Sequence, residues 1–171
     1  MGREHSRGVE STAAVFHHPI HPVTVAFPVA ALLAAPAVDM AARLTGDRFW
    51  IRAGRLLLLG GLASGVAASA VGLVDYLSIG RVRRLPSAHV HAGGNVLAIA
   101  LAATNLARRP ADDRTAPGEV EVGLSLATVA LLGLTAWIGG ELSYRHGIGV
   151  IDEDSPTAAE SLARVSAEAL R

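Results

Sequence analysis

The sequence predicts an all-α membrane protein: a four-helix transmembrane bundle with short connectors and a short C-terminal surface helix. Three observations predict it. Apolar residues make up 51% of the 171 positions, and mean hydropathy is +0.40. Four apolar stretches are each about twenty residues or longer, the length a helix needs to cross about 30 Å of hydrocarbon. Lipid offers the backbone no hydrogen-bond partners, so a crossing segment satisfies itself as a helix.

The stretches run from about Pro22 to Leu44, Ala53 to Ile79, Ala88 to Ala107 and Val120 to Tyr144. Charge collects between them, at Thr45 to Arg52, Gly80 to Pro86 and Arg108 to Gly118. A soluble helical bundle is the competing reading. It fails on the second stretch, which carries no charge between Arg55 and Asp75. The first stretch is not a typical signal peptide. It starts late, after a Pro- and His-rich segment, and it contains Pro28, Pro36 and Asp39. It is read as a retained helix. Three regions follow: a polar N-terminal tail (1–16), a four-helix membrane domain (17–151) and an acidic, amphipathic tail (152–171). In the last, Thr157 and Glu160 have capping-box spacing.

Composition removes several functions. There is no Cys, which excludes disulfides, thiolate zinc sites, iron–sulfur clusters and covalent haem attachment. Formal net charge is zero and no basic block points to nucleic acid. All basic residues are Arg, which with the Ala and Gly load suggests a bacterial source. No phosphate loop or hydrolase elbow is present. A stand-alone enzyme is therefore not the expectation. Gly61, Gly65 and Gly72 make a small-residue face suited to helix packing, and equally to a homo-oligomer or larger complex.

Topology rests on arginine. One side would hold Arg43, Arg48, Arg52, Arg55, Arg108, Arg109 and Arg114. The other would hold Arg3, Arg7, Arg81, Arg83, Arg84 and Arg145. This small bias puts the first and third connectors in the cytoplasm of an inner-membrane protein.

Helix alternation then gathers the polar residues. The starts of helices one and three share a membrane face with the ends of two and four. That face collects His18, His21, Asp75, His89, His91, Glu141 and His146, with His17 beside them. In His18-Pro19-Ile20-His21-Pro22, each His precedes a Pro and is biased to extended geometry. Three residues per polyproline turn put His18 and His21 on one side. His89 and His91 cannot share a helix face, whereas His91 and Asn95 can. His91 is therefore taken as the inward residue. Asp75 and Glu141 are candidates because membrane carboxylates are costly, although Glu141 can pair with Arg145. At the opposite face, Asp39 and Arg43 have the spacing of a local ion pair.

These landmarks resemble an uncharacterised bacterial membrane family, domain of unknown function 2231. The resemblance rests on His18 to Pro22, Phe27-Pro28, Asp39, Gly72 to Tyr76, His91 to Asn95, and Gly139 to Val150. It spans about Phe16 to Ile151. Many members carry His just before the Phe-Pro pair, where this chain has Ala26. A site that needs that ligand is altered here. The resemblance implies the membrane fold and names no activity.

Three functions are consistent with these residues. The first is cofactor binding for electron transfer. Neutral imidazole ligates haem iron and transition metals. Haem b would use His91 with one of His18, His21 or His146, and Asp75, Asn95 and Glu141 would orient the ligands. A metal ion would instead take His18, His21, His91, His146, Asp75 and Glu141 directly. The second is a proton or ion relay through the same groups. The third is a structural or accessory subunit without a cofactor.

Overall fold

A computed structural model describes residues 8–16, 18–112, 114–150 and 167. Five helices carry the fold: α1 (Ile20–Thr24), α2 (Ala26–Thr45), α3 (Arg48–Ser78), α4 (Pro86–Arg108) and α5 (Glu119–Tyr144). Helices α1 and α2 form one span, because Val25 and Val29 donate back to His21 O and Val25 O across the joint. Four spans result, Ile20–Thr45, Arg48–Ser78, Pro86–Arg108 and Glu119–Tyr144, each long and apolar enough to cross a membrane. The expected C-terminal helix lies outside the described residues, apart from Ala167, which is helical.

Local chemistry sets the helix ends. Gly46 closes α2 with φ 64°, a left-handed geometry that glycine adopts without Cβ strain. Asp47 then caps α3, its carboxylate accepting from the Phe49 N–H at 2.8 Å. Pro86 occupies the first turn of α4, where no amide donor is needed. Glu121 reaches back to the Gly118 N–H at 2.9 Å and secures the start of α5. Pro36 sits inside α2, a position a membrane helix tolerates when neighbouring helices pack around it.

The helices alternate in direction. Helices α2 and α3 pack as one hairpin, α4 and α5 as a second; α3 then packs on α4, and α2 on α5. Helices α2 and α4 therefore occupy opposite corners of the bundle. The middle is apolar: Leu32, Ala35, Leu58, Ala98, Ala102 and Leu132 form one buried cluster. Small residues allow the approach. A Cβ on Gly61 would lie 2.7 Å from Leu32, and one on Gly94 would lie 2.5 Å from Thr135.

Polarity runs in the sense that lipid demands. Leu33, Leu56, Leu59, Val66, Val96, Leu97, Leu126, Leu134 and Trp137 are exposed. Asp39, Asn105, Ser125, Thr128 and Thr135 are buried. An apolar exterior around polar interior positions is stable in hydrocarbon and unfavourable in water.

The described part of the expected N-terminal tail is tied to the bundle. Val9 donates to Gly147 O and accepts from the Gly149 N–H, each at 2.8 Å. Ala14–Val15 pairs antiparallel with His18–Pro19. Val9 also packs against a second cluster of Ile79, Val82, Ala88 and Leu142. Residues 8–16 thus form a strap across the histidine-bearing end.

Candidate functional site

Two histidines are built into the bundle in the same way. His21 lies in the first turn of its span and is half-buried. Its Nδ1 is 2.9 Å from Ala68 O on α3. His91 lies early in α4, also half-buried, with Nδ1 2.9 Å from Thr135 O on α5. A carbonyl only accepts, so Nδ1 carries the proton in each ring and donates it. In the neutral ring this tautomer leaves the lone pair on Nε2. The Asn95 amide, one turn along α4, donates toward His91 Nε2 at 3.2 Å and to His91 O at 2.8 Å.

Glycine makes both placements possible. Gly72 lies one turn after Ala68, and a Cβ there would sit 2.7 Å from His21 Cε1. Gly139 lies one turn after Thr135, and a Cβ there would sit 2.9 Å from His91 Cε1. The two hairpins are thus quasi-equivalent, each packing its own imidazole against a carbonyl–glycine turn of the next helix. The two rings belong to different hairpins and sit near the same end of the bundle, each in the first turns of its span.

The other expected site residues are placed elsewhere on this end. His18 is exposed in the short strand, and its Nδ1 donates to Phe16 O at 2.9 Å. His89 is exposed and bonds the Tyr76 hydroxyl at 2.7 Å. His146 follows α5 and is half-buried. Asp75 holds the strap: it accepts from the Ser11 hydroxyl at 2.7 Å and the Ala13 N–H at 3.0 Å. Glu141 accepts from Arg145 at 2.9 Å within α5. His17 lies outside the described residues. The expected joint cluster is therefore not assembled among the described residues. Among the described residues, no three His, Asp or Glu side chains gather so as to hold a metal ion. The physical reason is that both carboxylates already have donors from the strap and from α5.

The expected Asp39–Arg43 pair is also replaced. Asp39 instead takes both arms of Arg109 from the end of α4, at 2.8 and 2.7 Å. Ser125 donates to Asp39 at 2.8 Å, Asn105 donates to Ser125 at 2.8 Å, and Arg109 Nε donates to Asn105 at 3.1 Å. Gly54 leaves room, since a Cβ there would lie 2.7 Å from Asp39 Oδ1. Arg43 turns outward to Pro117 O at 3.0 Å. A bidentate guanidinium from another helix satisfies a buried carboxylate better than a flexible, half-exposed neighbour on its own helix. Sequence reasoning missed this network. One signal was available: Asp39 and Arg109 each lie eighteen residues after His21 and His91, respectively.

The comparisons with known proteins come to one match. A family model described as predicted membrane protein, DUF2231, covers residues 17–152. No curated protein and no solved structure matches the chain. The matched segment includes all four spans, both buried imidazoles and the Asp39–Arg109 network, and the chain belongs to this family of multi-pass membrane proteins.

Proposed function

We propose that this chain is an inner-membrane electron carrier in which His21 and His91 bind the iron of haem b. The observation that carries the reading is the matched state of the two rings. Each donates Nδ1–H to a backbone carbonyl, which sets its tautomer and leaves Nε2 to ligate. Zinc and similar ions take three or four protein ligands. Haem iron needs only one or two, because the porphyrin supplies the equatorial set. Two imidazoles on opposite-corner helices, with no third donor gathered among the described residues, suit the latter. His18 and His146 drop out as first choices, and Asp75 and Glu141 drop out as ligands. Asn95 becomes a positioning residue through its bond to His91 O, and its contact with Nε2 gives way when that lone pair ligates.

A second reading has its own observation. The hydrogen bonds to Ala68 O and Thr135 O also staple neighbouring helices, and the Asn95 amide already engages His91 Nε2. In that reading the chain is an accessory subunit whose imidazoles serve packing. A proton relay has less support, because the buried apolar cluster around Leu32, Leu58 and Leu132 separates the histidine end from Asp39.

The test is a reduced-minus-oxidised visible spectrum of the full chain, purified in detergent after expression with haem precursor. The expected result is a Soret band that His21→Ala or His91→Ala abolishes and His146→Ala keeps. A folded wild-type protein with no chromophore overturns the haem reading and leaves the stapling role.

A further inference from the structure

The end of the bundle opposite the histidines carries a cleft of about 310 Å³. Its walls come from the start of α3 (Ile51, Arg55), the end of α4 (Arg108, Arg109) and the connector residues Pro110, Asp112 and 115–118. We propose that this cleft binds the phosphate of an anionic phospholipid headgroup, with Arg55 as the principal contact and Arg108 as the second. The proposal is independent of the haem reading.

The first argument is charge. Three guanidinium groups line the cleft, but two already have carboxylates. Arg109 is bonded to Asp39, and Arg108 pairs with Glu121 at 2.8 Å. Arg55 is half-buried, and its one partner among the described residues is a neutral carbonyl, Pro110 O at 2.9 Å. A guanidinium has five donors, so most of this fork remains to be satisfied. Among the described residues these donors meet no carboxylate, so they are available to an incoming anion at the membrane boundary. Arg108 uses Nε on Glu121 and retains both terminal nitrogens as further donors. With Asp39 on Arg109 and Glu121 on Arg108, the remaining lining charges are Arg55 and Asp112, and Arg55 makes no ion pair among the described residues.

The second argument is depth. Helix α3 has 31 residues and is therefore about 46 Å long. Centred on about 30 Å of hydrocarbon, it extends about 8 Å beyond each boundary. Arg55 lies seven residues into the helix, about 10 Å from its start, and so falls at the boundary where lipid phosphates sit. Basic pockets between membrane helices at this level are sites for anionic headgroups. Guanidinium suits the purpose because its planar fork matches a phosphate face with two parallel bonds.

The test uses the full chain in a neutral detergent. Melting is followed on adding phosphatidylglycerol, phosphatidylcholine or inorganic phosphate at constant ionic strength, and retained lipid is measured by native mass spectrometry. Phosphatidylglycerol should raise the melting temperature and stay bound, while phosphatidylcholine does neither. Arg55→Gln should weaken retention about tenfold, the loss of one charge-assisted contact. Arg55→Lys keeps the charge without the fork and should fall between the two; it also answers the question if the Gln variant does not fold. Arg48→Gln and Arg114→Gln, exposed on the same face outside the cleft, should retain lipid as the wild type does. Equal loss in those controls, or full retention in both Arg55 variants, overturns the site. Stabilisation by inorganic phosphate as large as that by lipid overturns the headgroup as its source.

Discussion

Replacing Asp39 with Ala strips Arg109 of its carboxylate inside the bundle. The exposures decide how costly that is. The Asp39 side chain is 1% exposed and that of Arg109 6%, so neither can recruit bulk water. Both hydrogen bonds of one bidentate pair disappear, and the Ser125 hydroxyl loses its acceptor. Breaking one side of a buried pair costs about 3–5 kcal/mol, because the remaining charge stays desolvated. Removing both charges is different: buried pairs replaced by apolar residues are often neutral or stabilising. The double variant Asp39→Leu/Arg109→Met should therefore lie well above the sum of its singles, with a coupling of at least about 2 kcal/mol. Unfolding by a graded anionic detergent in mixed micelles measures each variant. Glu141→Ala is the comparison, since its Arg145 pair is 33% and 76% exposed on the two sides. That variant should cost about 0–1 kcal/mol. Asp39→Ala costing no more than Glu141→Ala, or additive single costs, would refute the reading of Asp39 and Arg109 as a buried pair in which each charge depends on the other.

Three further outcomes follow from the geometry. Gly72→Ala and Gly139→Ala place a methyl 2.7 and 2.9 Å from the imidazoles of His21 and His91. Each should displace its ring from the facing carbonyl, cutting haem content if haem is bound and otherwise shifting the ring N–H resonance; Gly60→Ala, which meets nothing within 4 Å, is the control. Asp75→Ala removes the acceptor for Ser11 and Ala13, so hydrogen exchange across residues 8–16 should rise by about 10-fold or more, matching about 1–3 kcal/mol of lost bonding, while α3 stays protected. An unchanged rate would show that the strap's other contacts, at Val9, Thr12 and the Ala14–Val15 pairing, hold it without Asp75. The chain lacks Cys, so Ala111→Cys and Gly80→Cys report topology directly. An impermeant thiol reagent applied to intact cells should label position 80 and spare position 111 if the arginine-richer face is cytoplasmic.

The histidine end was partly legible in the sequence. His91 with Asn95 on one face follows from their four-residue spacing, and the structure bonds them. The role of Asp75 was not legible. Its partners lie more than sixty positions away in a segment with no periodicity, where neither spacing nor hydropathy carries a signal. Glu141 was readable as a partner of Arg145 for the opposite reason: the contact is local to one helix turn.

The sequence by itself determined that four helices cross a membrane, roughly where each begins and ends, and which residues share each end. Those properties follow from length, hydropathy and alternation, because lipid punishes an unsatisfied backbone whatever the helices touch. Only the tertiary structure decided the pairings. Asp39 chose Arg109 over Arg43, His21 and His91 each chose a carbonyl beside a glycine, and Arg55 was left with a neutral partner. These choices depend on how each helix is rotated and how closely it approaches its neighbour. Rotation and approach are set by small residues such as Gly54, Gly72 and Gly139, whose own side chains say nothing about what will fill the space they leave.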